Sequence, residues 1–150
     1  MRSLTVKQPW ASLIVHRIKD IENRTWPTKY RGRVLIHAGA TIAGHCDELL
    51  NDSQYTKMLE SGILEYPKSA IIGSVEIVDC VINHPSIWAE KSDKDTCFYD
   101  EFTGMWHPIT GRKPTHNWVL ANPILFDEPI LNVKGKLSFW DYDGLIPENL

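Results

Sequence analysis

Cysteine is scarce in this sequence, and no two cysteines lie close together. The 150 residues contain three, Cys46, Cys80 and Cys97, without a CxxC pair. A scattered, odd number argues against a disulfide framework and favours a reducing compartment. His37 and His45 lie near Cys46, but no spacing typical of a zinc site occurs, so we expect no metal. P-loop, GxGxxG and GxSxG motifs are also missing, and we expect no cofactor.

Long apolar runs are missing as well. The N-terminal stretch MRSLTVKQPW lacks the apolar core of a signal peptide, and no later stretch is long enough to cross a bilayer. We therefore predict a cytoplasmic protein with no membrane partner. The length predicts one domain, spanning residues 1–150. A chain of this size buries enough surface to fold without a disulfide or a metal.

Positive charge is in slight deficit overall but is concentrated near the N-terminus. The net charge is −3, which taken alone argues against nucleic acid. Residues 1–40, however, carry eight basic and two acidic side chains, a net charge of +6, whereas the rest of the chain carries −9. Such segregation focuses a positive potential if the folded chain gathers these side chains on one face. The alternative is that folding scatters them over the surface.

Residue patterns predict a small β-barrel with helical additions. Alternating or continuous apolar residues predict strands over 3–7, 21–26, 33–38, 69–82, 118–120 and 129–140. A short helix is expected after Pro9, which suits a first turn, and a second helix over 47–61. Gly73 inside a strand predicts a bulge or a close backbone approach. Residues 84–117 form a long irregular insertion, and such insertions are usually functional or mobile.

The densest group of chemically useful side chains lies in the first quarter of the chain. It comprises Lys19, Glu22, Arg24, Trp26, Arg31 and His37. The period of two places Glu22, Arg24 and Trp26 on one strand face, which is unusual for a core. Such a face is either an exposed edge with its own ion pair or the wall of a wet pocket, and the pattern alone favours the edge.

A resemblance to a known family favours the pocket wall over the exposed edge. The string QPWASLIVHRIKDIENRTWPTKYRGRVLIHA resembles the N-terminal signature of the ASCH domain family, and Gln-Pro-Trp-Ala followed by Lys-x-x-Glu-x-Arg is its most specific part. The C-terminal stretch agrees more loosely, through Trp118, the Lys-Gly-Lys around Gly135, and Trp140. Arg17 departs from the pattern, because many relatives have a glycine there that ends the helix.

The resemblance implies both a fold and a site. The implied fold is α+β and mainly β, a small PUA-like β-barrel with two to three short flanking helices and a cleft between barrel and helices. Relatives are associated with RNA or DNA, and a few are hydrolases. The expected cleft groups are Lys19, Glu22 and Arg24, to which we add Trp26, Lys29 and Arg31 as binding residues. We expect structural roles for five residues: Trp10, Glu76, Trp118, Gly135 and Trp140.

Three functions therefore stay open. The first is binding of nucleic acid, foremost RNA, or of a modified nucleoside, with cations on phosphate and an aromatic ring such as that of Trp26 or Trp88 on a base. The second is hydrolysis of N4-acetylcytidine or of RNA by Lys19 and Glu22. One branch that resembles this chain uses a threonine where Glu22 stands, and the flanking cations favour an ion-paired Glu22 over a basic one. The third is a protein-interaction domain.

Two further interpretations concern single residues and one loop. Glu76 lies within an apolar strand, so it needs a partner, for which Arg24 or Arg33 is suitable. The aromatic residues around Tyr99 and Trp106 could fold over the cleft as a lid, or they could pin the long insertion to the rest of the domain.

Overall fold

The chain builds a mixed sheet with three short helices, which agrees with the predicted α+β, mainly β class. The computed structural model describes residues 1–92, 97–108 and 113–150. The helices are α1 (Trp10–Val15), α2 (Cys46–Leu49) and α3 (Asp52–Glu60). The strands are β1 (Arg2–Gln8), β2 (Ile21–Arg24), β3 (Gly32–Ile42), β4 (Ala70–Val81), β5 (Cys97–Asp100), β6 (Met105–Pro108), β7 (His116–Ile130) and β8 (Phe139–Asp141).

Six strands form one sheet in the order β2-β7-β4-β3-β1-β8. All pairs are antiparallel except β1 with β3, which run parallel. In the part of the chain that is described, β2 and β8 are edges that do not pair with each other, so the predicted closed barrel is not confirmed. These edge strands are short, and each forms a ladder with a single neighbour. Aromatic packing bridges this gap. The ring of Phe139 in β8 stacks on that of Trp118 in β7, the neighbour of β2, with the ring centres 5.4 Å apart.

The predicted long insertion at 84–117 contains regular structure. Strands β5 and β6 pair as a separate two-stranded hairpin within it, and its last two residues already belong to β7. The described part of the chain leaves out residues 93–96 and 109–112 and the side chain of Trp106. The lid role of the Trp106 ring therefore stays a prediction. The rings of Phe98 and Tyr99 are about half exposed.

Helix α1 is short, and the side chain of Gln8 holds its start. The Gln8 amide accepts a hydrogen bond from the Ser12 backbone N–H at 3.0 Å and donates one to the Ser12 hydroxyl at 2.7 Å. Pro9 occupies the N-cap, where its missing N–H costs no bond. After the helix, Arg17 adopts a φ of 67°. This left-handed conformation favours glycine, so an arginine adopts it at some steric cost.

The predicted helix over 47–61 is two helices. Leu50 adopts an extended conformation between them and is buried against Leu13 and Trp88. Asn51 then starts α3 with a capping box, in which its side chain and that of Gln54 satisfy each other's backbone N–H groups. Burial of one leucine and a strong N-cap thus interrupt a segment whose composition is helical throughout.

The strands also differ in extent from their predicted ranges. Strand β3 runs on to Ile42 rather than ending near Ala38, and β7 is one long strand that reaches Ile130. Residues 131–138 form a loop because Asn132 and Ser138 both take a φ of 58°, which breaks an extended strand. The predicted bulge at Gly73 is confirmed, since the register shifts beside it and a Cβ there would lie 2.3 Å from the Ile124 carbonyl oxygen.

The main core lies between α1 and the sheet. Its largest members include Leu4, Ile14, Ile36, Ile77 and Trp118. A second cluster joins α1 to the segment around Trp88 through Leu13, Ile21 and Leu50. Together these clusters fix α1 against one end of β2, where the candidate site lies. In the ranges 1–92, 97–108 and 113–150, no helix is long and apolar enough to cross a membrane.

Candidate functional site

Two adjoining cavities lie where α1 meets β2. The inner cavity has a volume of about 240 Å³ and is lined by Trp10, Lys19, Glu22, Asn23, Leu49, Gln54, Trp88 and Glu90. The outer cavity has a volume of about 320 Å³ and is lined by Thr5, Val6, Lys7, Trp10, Glu22, Asn23, Arg24, Lys136, Leu137 and Ser138. Because Trp10, Glu22 and Asn23 line both, we treat the two cavities as one cleft.

Strand β2 places Glu22 between the two cations predicted from the sequence. Its Oε2 lies 2.9 Å from Nη2 of Arg24, and its Oε1 lies 3.8 Å from Nζ of Lys19. The strand is fixed by antiparallel pairing with β7, in which Glu22 faces Trp118 and Arg24 faces His116. The turn that follows α1 places Lys19 beside this strand. The structure therefore brings Lys19, Glu22 and Arg24 together at one cleft.

Lys19 is the most buried charged side chain of this group, with 4% of its side chain exposed. Its Nζ donates a hydrogen bond to the Ile21 carbonyl oxygen and lies 5.4 Å from the centre of the Trp10 ring. Burial lowers the pKa of Lys19. The carboxylates of Glu22, Glu90 and Asp20 oppose this shift, and the Arg24 guanidinium adds to it.

Arg24 is oriented by the protein but stays open to the cleft. Its Nη2 donates to Glu22 and also to the Thr5 carbonyl oxygen, at 2.9 Å in each case. The guanidinium lies about 6 Å from the ring centres of Trp26 and Trp118. Even so, 24% of the side chain is exposed. A preorganised, partly exposed guanidinium is well suited to bind a phosphate or a carboxylate.

The aromatic residues of the cleft differ from their predicted roles. Trp10, expected as a structural residue, is only partly buried and lines both cavities. Trp88, predicted as a ring that could stack on a base, is 4% exposed and packs edge-on against Trp10 at 6.5 Å. Trp88 therefore holds the Trp10 ring in place. Both rings line the inner cavity, and Trp10 also lines the outer one.

Three other predicted binding residues lie away from the cleft. Lys29 is exposed and lines neither cavity. Arg31 donates to the carbonyl oxygens of Thr28 and Tyr30, and its Nη2 lies 3.7 Å from Asp79. Trp26 packs edge-on against Trp118 at 4.6 Å. Strand β2 ends at Arg24, and the chain beyond it does not continue along the cleft.

The residues expected to be structural have identifiable partners. Glu76 pairs with Arg33 at 3.2 Å, and its side chain is 37% exposed rather than enclosed in the core. Trp118 is fully buried and donates its indole N–H to the Trp26 carbonyl oxygen. The indole N–H of Trp140 bonds to the Thr5 hydroxyl at 3.1 Å.

Gly135 is required by a close approach. A Cβ at this position would lie 2.5 Å from the Thr5 hydroxyl oxygen and 2.6 Å from the His37 ring. His37, predicted at the end of its strand and within the chemical group, lies inside β3 and is 1% exposed. Its ring bonds to Thr5 and to the Val133 carbonyl oxygen, away from Lys19.

Sequence reasoning missed several residues of the cleft, of which four carry the charges and amide bonds described next. Asn23 was expected on the opposite strand face, yet it lines both cavities, and its amide bonds to Trp88 and Glu90 fix the segment that carries them. Lys7, Glu90 and Lys136 arrive from strands and loops distant in sequence. Only Lys136 had a signal, the Lys-Gly-Lys of the resemblance. Among the described residues, no group of three or more His, Cys, Asp or Glu is arranged to hold a metal.

Comparison with known proteins agrees with this architecture. Human activating signal cointegrator 1 is 37% identical over 83 residues, which is 52% of this chain and 14% of that protein. The mouse protein of the same name is 36% identical over the same length, again 52% of this chain and 14% of the relative. The chain thus spans only a small part of these relatives.

A crystal structure of ASCH from Zymomonas mobilis shares the fold. The TM-score is 0.51 at 15% identity, and the match covers 95% of this chain and 87% of the other. The family profile described as ASCH domain matches residues 4–130. This match extends over most of the chain, including both cavities apart from the loop that carries Lys136. The chain belongs to the ASCH domain family.

Proposed function

We propose that the cleft binds single-stranded nucleic acid, with RNA as the preferred ligand. The observation that carries this proposal is Arg24. Its guanidinium is held by Glu22 and by the Thr5 carbonyl oxygen, yet it faces a cavity that Lys7 and Lys136 also line. A fixed guanidinium beside two exposed ammonium groups is an arrangement that recognises phosphate.

The charge of the outer cavity supports this proposal. Three cations, Lys7, Arg24 and Lys136, line it together with one carboxylate, that of Glu22. Neither lysine forms an ion pair with any residue in the described ranges. Their charge is thus available to a ligand, although the protein as a whole is acidic. A local positive potential of this kind attracts phosphate despite an unfavourable net charge.

The inner cavity supports the single-stranded part of the proposal. One wall is the Trp10 ring, and polar groups of Lys19, Asn23 and Gln54 line the space beside it. RNA-binding proteins commonly stack an unpaired base on an aromatic ring and bond to its polar edges. We place a base in the inner cavity and its phosphate at Arg24. A base held in a duplex could not enter this space.

Binding measured across a salt series tests the proposal. We expect the affinity for a fluorescent octauridylate to fall as NaCl rises, with a slope of about −0.7 per phosphate contact in a plot of log affinity against log salt. Arg24→Gln should weaken binding about tenfold and reduce the slope by about one contact. Arg33→Gln is the matched control, because Arg33 pairs with Glu76 outside the cleft.

Two results would contradict nucleic-acid binding at the cleft. One is binding that does not change with salt, or no binding to octauridylate and its DNA counterpart. The other is an equal loss of affinity in Arg24→Gln and Arg33→Gln. A complete absence of nucleic-acid binding would favour the hypothesis of a protein-interaction domain instead.

The burial of Lys19 beside Glu22 supports a second candidate, hydrolysis of a modified nucleoside such as N4-acetylcytidine. Water would attack the acetyl carbonyl, Glu22 would take its proton, and Lys19 would stabilise the oxyanion. The proton would then pass to the departing amine, which leaves cytidine and acetate. No serine, threonine or cysteine is among the residues that line the inner cavity, so a water nucleophile is required.

Acetate release from N4-acetylcytidine tests this candidate. We expect turnover by the wild-type protein and its loss, by at least about a hundredfold, in Lys19→Ala. Arg33→Gln should keep full activity. Equal turnover by Lys19→Ala, or no acetate above the uncatalysed rate, would rule the reaction out.

A further inference from the structure

A third cavity adjoins the outer cavity and extends the same surface. It has a volume of about 600 Å³ and lies between the strands β1 and β3 and the loop 132–138. We call it the loop cavity. Thr5, Lys136 and Leu137 line both it and the outer cavity, so the two cavities are neighbours. The ASCH domain profile ends at residue 130, before the loop that forms this wall.

A chain of hydrogen bonds fixes the floor of the loop cavity. The Trp140 indole donates to the Thr5 hydroxyl, which donates to Nδ1 of His37 at 3.2 Å. Nε2–H of His37 in turn donates to the Val133 carbonyl oxygen at 2.6 Å. Burial lowers the pKa of His37, which agrees with a neutral ring in this chain of bonds. The loop is therefore held against the sheet in one position.

The remaining lining groups favour an anion. Lys134 and Lys136 are exposed on the loop, and neither pairs with a carboxylate in the described part of the chain. No aspartate or glutamate lines the loop cavity, in contrast to the inner cavity with Glu22 and Glu90. Because Thr5 and His37 are bonded to each other, the polar side chains left for a ligand are the two lysines, the Asn132 amide and the Ser69 hydroxyl.

We infer that the loop cavity is a second phosphate subsite, which takes the nucleotides of a strand next to the one held at Arg24. This inference rests on the proposed function and makes it more specific. The ligand is then an oligonucleotide several residues long rather than a mononucleotide or a free nucleoside. Lys136 lies at the junction of the two cavities, and Lys134 belongs to the loop cavity alone.

Binding of 5′-fluorescein oligouridylates of two and eight residues tests the subsite. We expect the octamer to bind at least tenfold more tightly than the dinucleotide. Lys134→Gln should weaken octamer binding several-fold and lower the salt slope by about 0.7, the value for one phosphate contact on a single strand. Dinucleotide binding should stay unchanged, because the dinucleotide fills the cleft without reaching Lys134.

Lys57→Gln on α3 is the matched control, since Lys57 is exposed and lines none of the three cavities. If Arg24→Gln weakens both oligonucleotides while Lys134→Gln weakens neither, the second subsite is wrong and the proposed function stands. If the wild-type protein binds neither length, both are wrong. Tighter binding of oligoglutamate than of octauridylate would assign the lysines to an acidic peptide and would also overturn the subsite.

Discussion

Two glutamate–arginine pairs in this protein have the same chemistry and different surroundings. Glu22 and Arg24 lie two residues apart on β2, with 7% and 24% of their side chains exposed. Arg33 and Glu76 lie directly opposite each other on β3 and β4, with 18% and 37% exposed. The first pair lines the cleft, whereas no cavity described above includes the second.

The difference shows how surroundings decide what an ion pair does. Glu76 and Arg33 find further partners in Ser74 and Asn122, so their hydrogen-bonding groups are used within the sheet surface. Glu22 instead serves a second cation, the buried Lys19, and Arg24 keeps an exposed edge toward Lys7 and Lys136. The Arg33–Glu76 pair is thus a structural contact, and the Glu22–Arg24 pair is one part of a larger charged site.

The two pairs should differ most strongly in what they contribute to the free energy of unfolding. We expect Glu22→Gln to lower the free energy of unfolding by about 3 kcal/mol, because it leaves Lys19 buried without its nearest carboxylate. The same change at Glu76 should cost less than about 1 kcal/mol, since that pair is partly exposed. Urea unfolding followed by tryptophan fluorescence measures both values. Equal losses would show that burial does not distinguish the pairs.

The two sites should also differ, by a smaller amount, in how the free energy of unfolding changes with pH. The pKa of Lys19 is lower in the folded protein than in the unfolded chain, where it is near 10.5. Between these two values the unfolded chain binds more protons, so the contribution of Lys19 to the free energy of unfolding rises with pH. The slope is at most about 1.4 kcal/mol per pH unit, the value for one proton.

The variant Lys19→Met isolates this contribution. We expect the stability of the wild-type protein relative to Lys19→Met to rise as pH increases toward 10.5. The corresponding difference for Arg33→Met should stay flat, because a guanidinium remains protonated throughout this range. A difference for Lys19→Met that falls with pH, or that stays as flat as that for Arg33→Met, would contradict the lowering of the Lys19 pKa by burial.

Local features of the cleft could be predicted because they depend on nearby residues. The alternation along β2 placed Glu22 and Arg24 on one face, and the turn after α1 brought Lys19 close to them. The alternation of residues does not show where a strand ends. Lys29 and Arg31 were expected in the cleft from the positive charge of residues 1–40, but β2 stops at Arg24 and both lie away from the two cavities.

Contacts between distant parts of the chain were not predictable. Lys136 reaches the outer cavity only because the loop 132–138 is bonded to His37 across the sheet. The burial of Leu50, which divides the predicted second helix, likewise depends on Trp88 and Leu13. The closed barrel was predicted from the pattern of short strands and from the family resemblance, neither of which fixes strand pairing, and the observed strand order leaves β2 and β8 as edges.

The most direct test of the cleft as the ligand site is an NMR titration with octauridylate. Resonances of the Arg24 Nε–H and the Trp10 indole N–H should shift progressively and saturate, while the Arg33 Nε–H stays in place. Shifts confined to Arg33, with Arg24 and Trp10 unchanged at saturating ligand, would contradict the account.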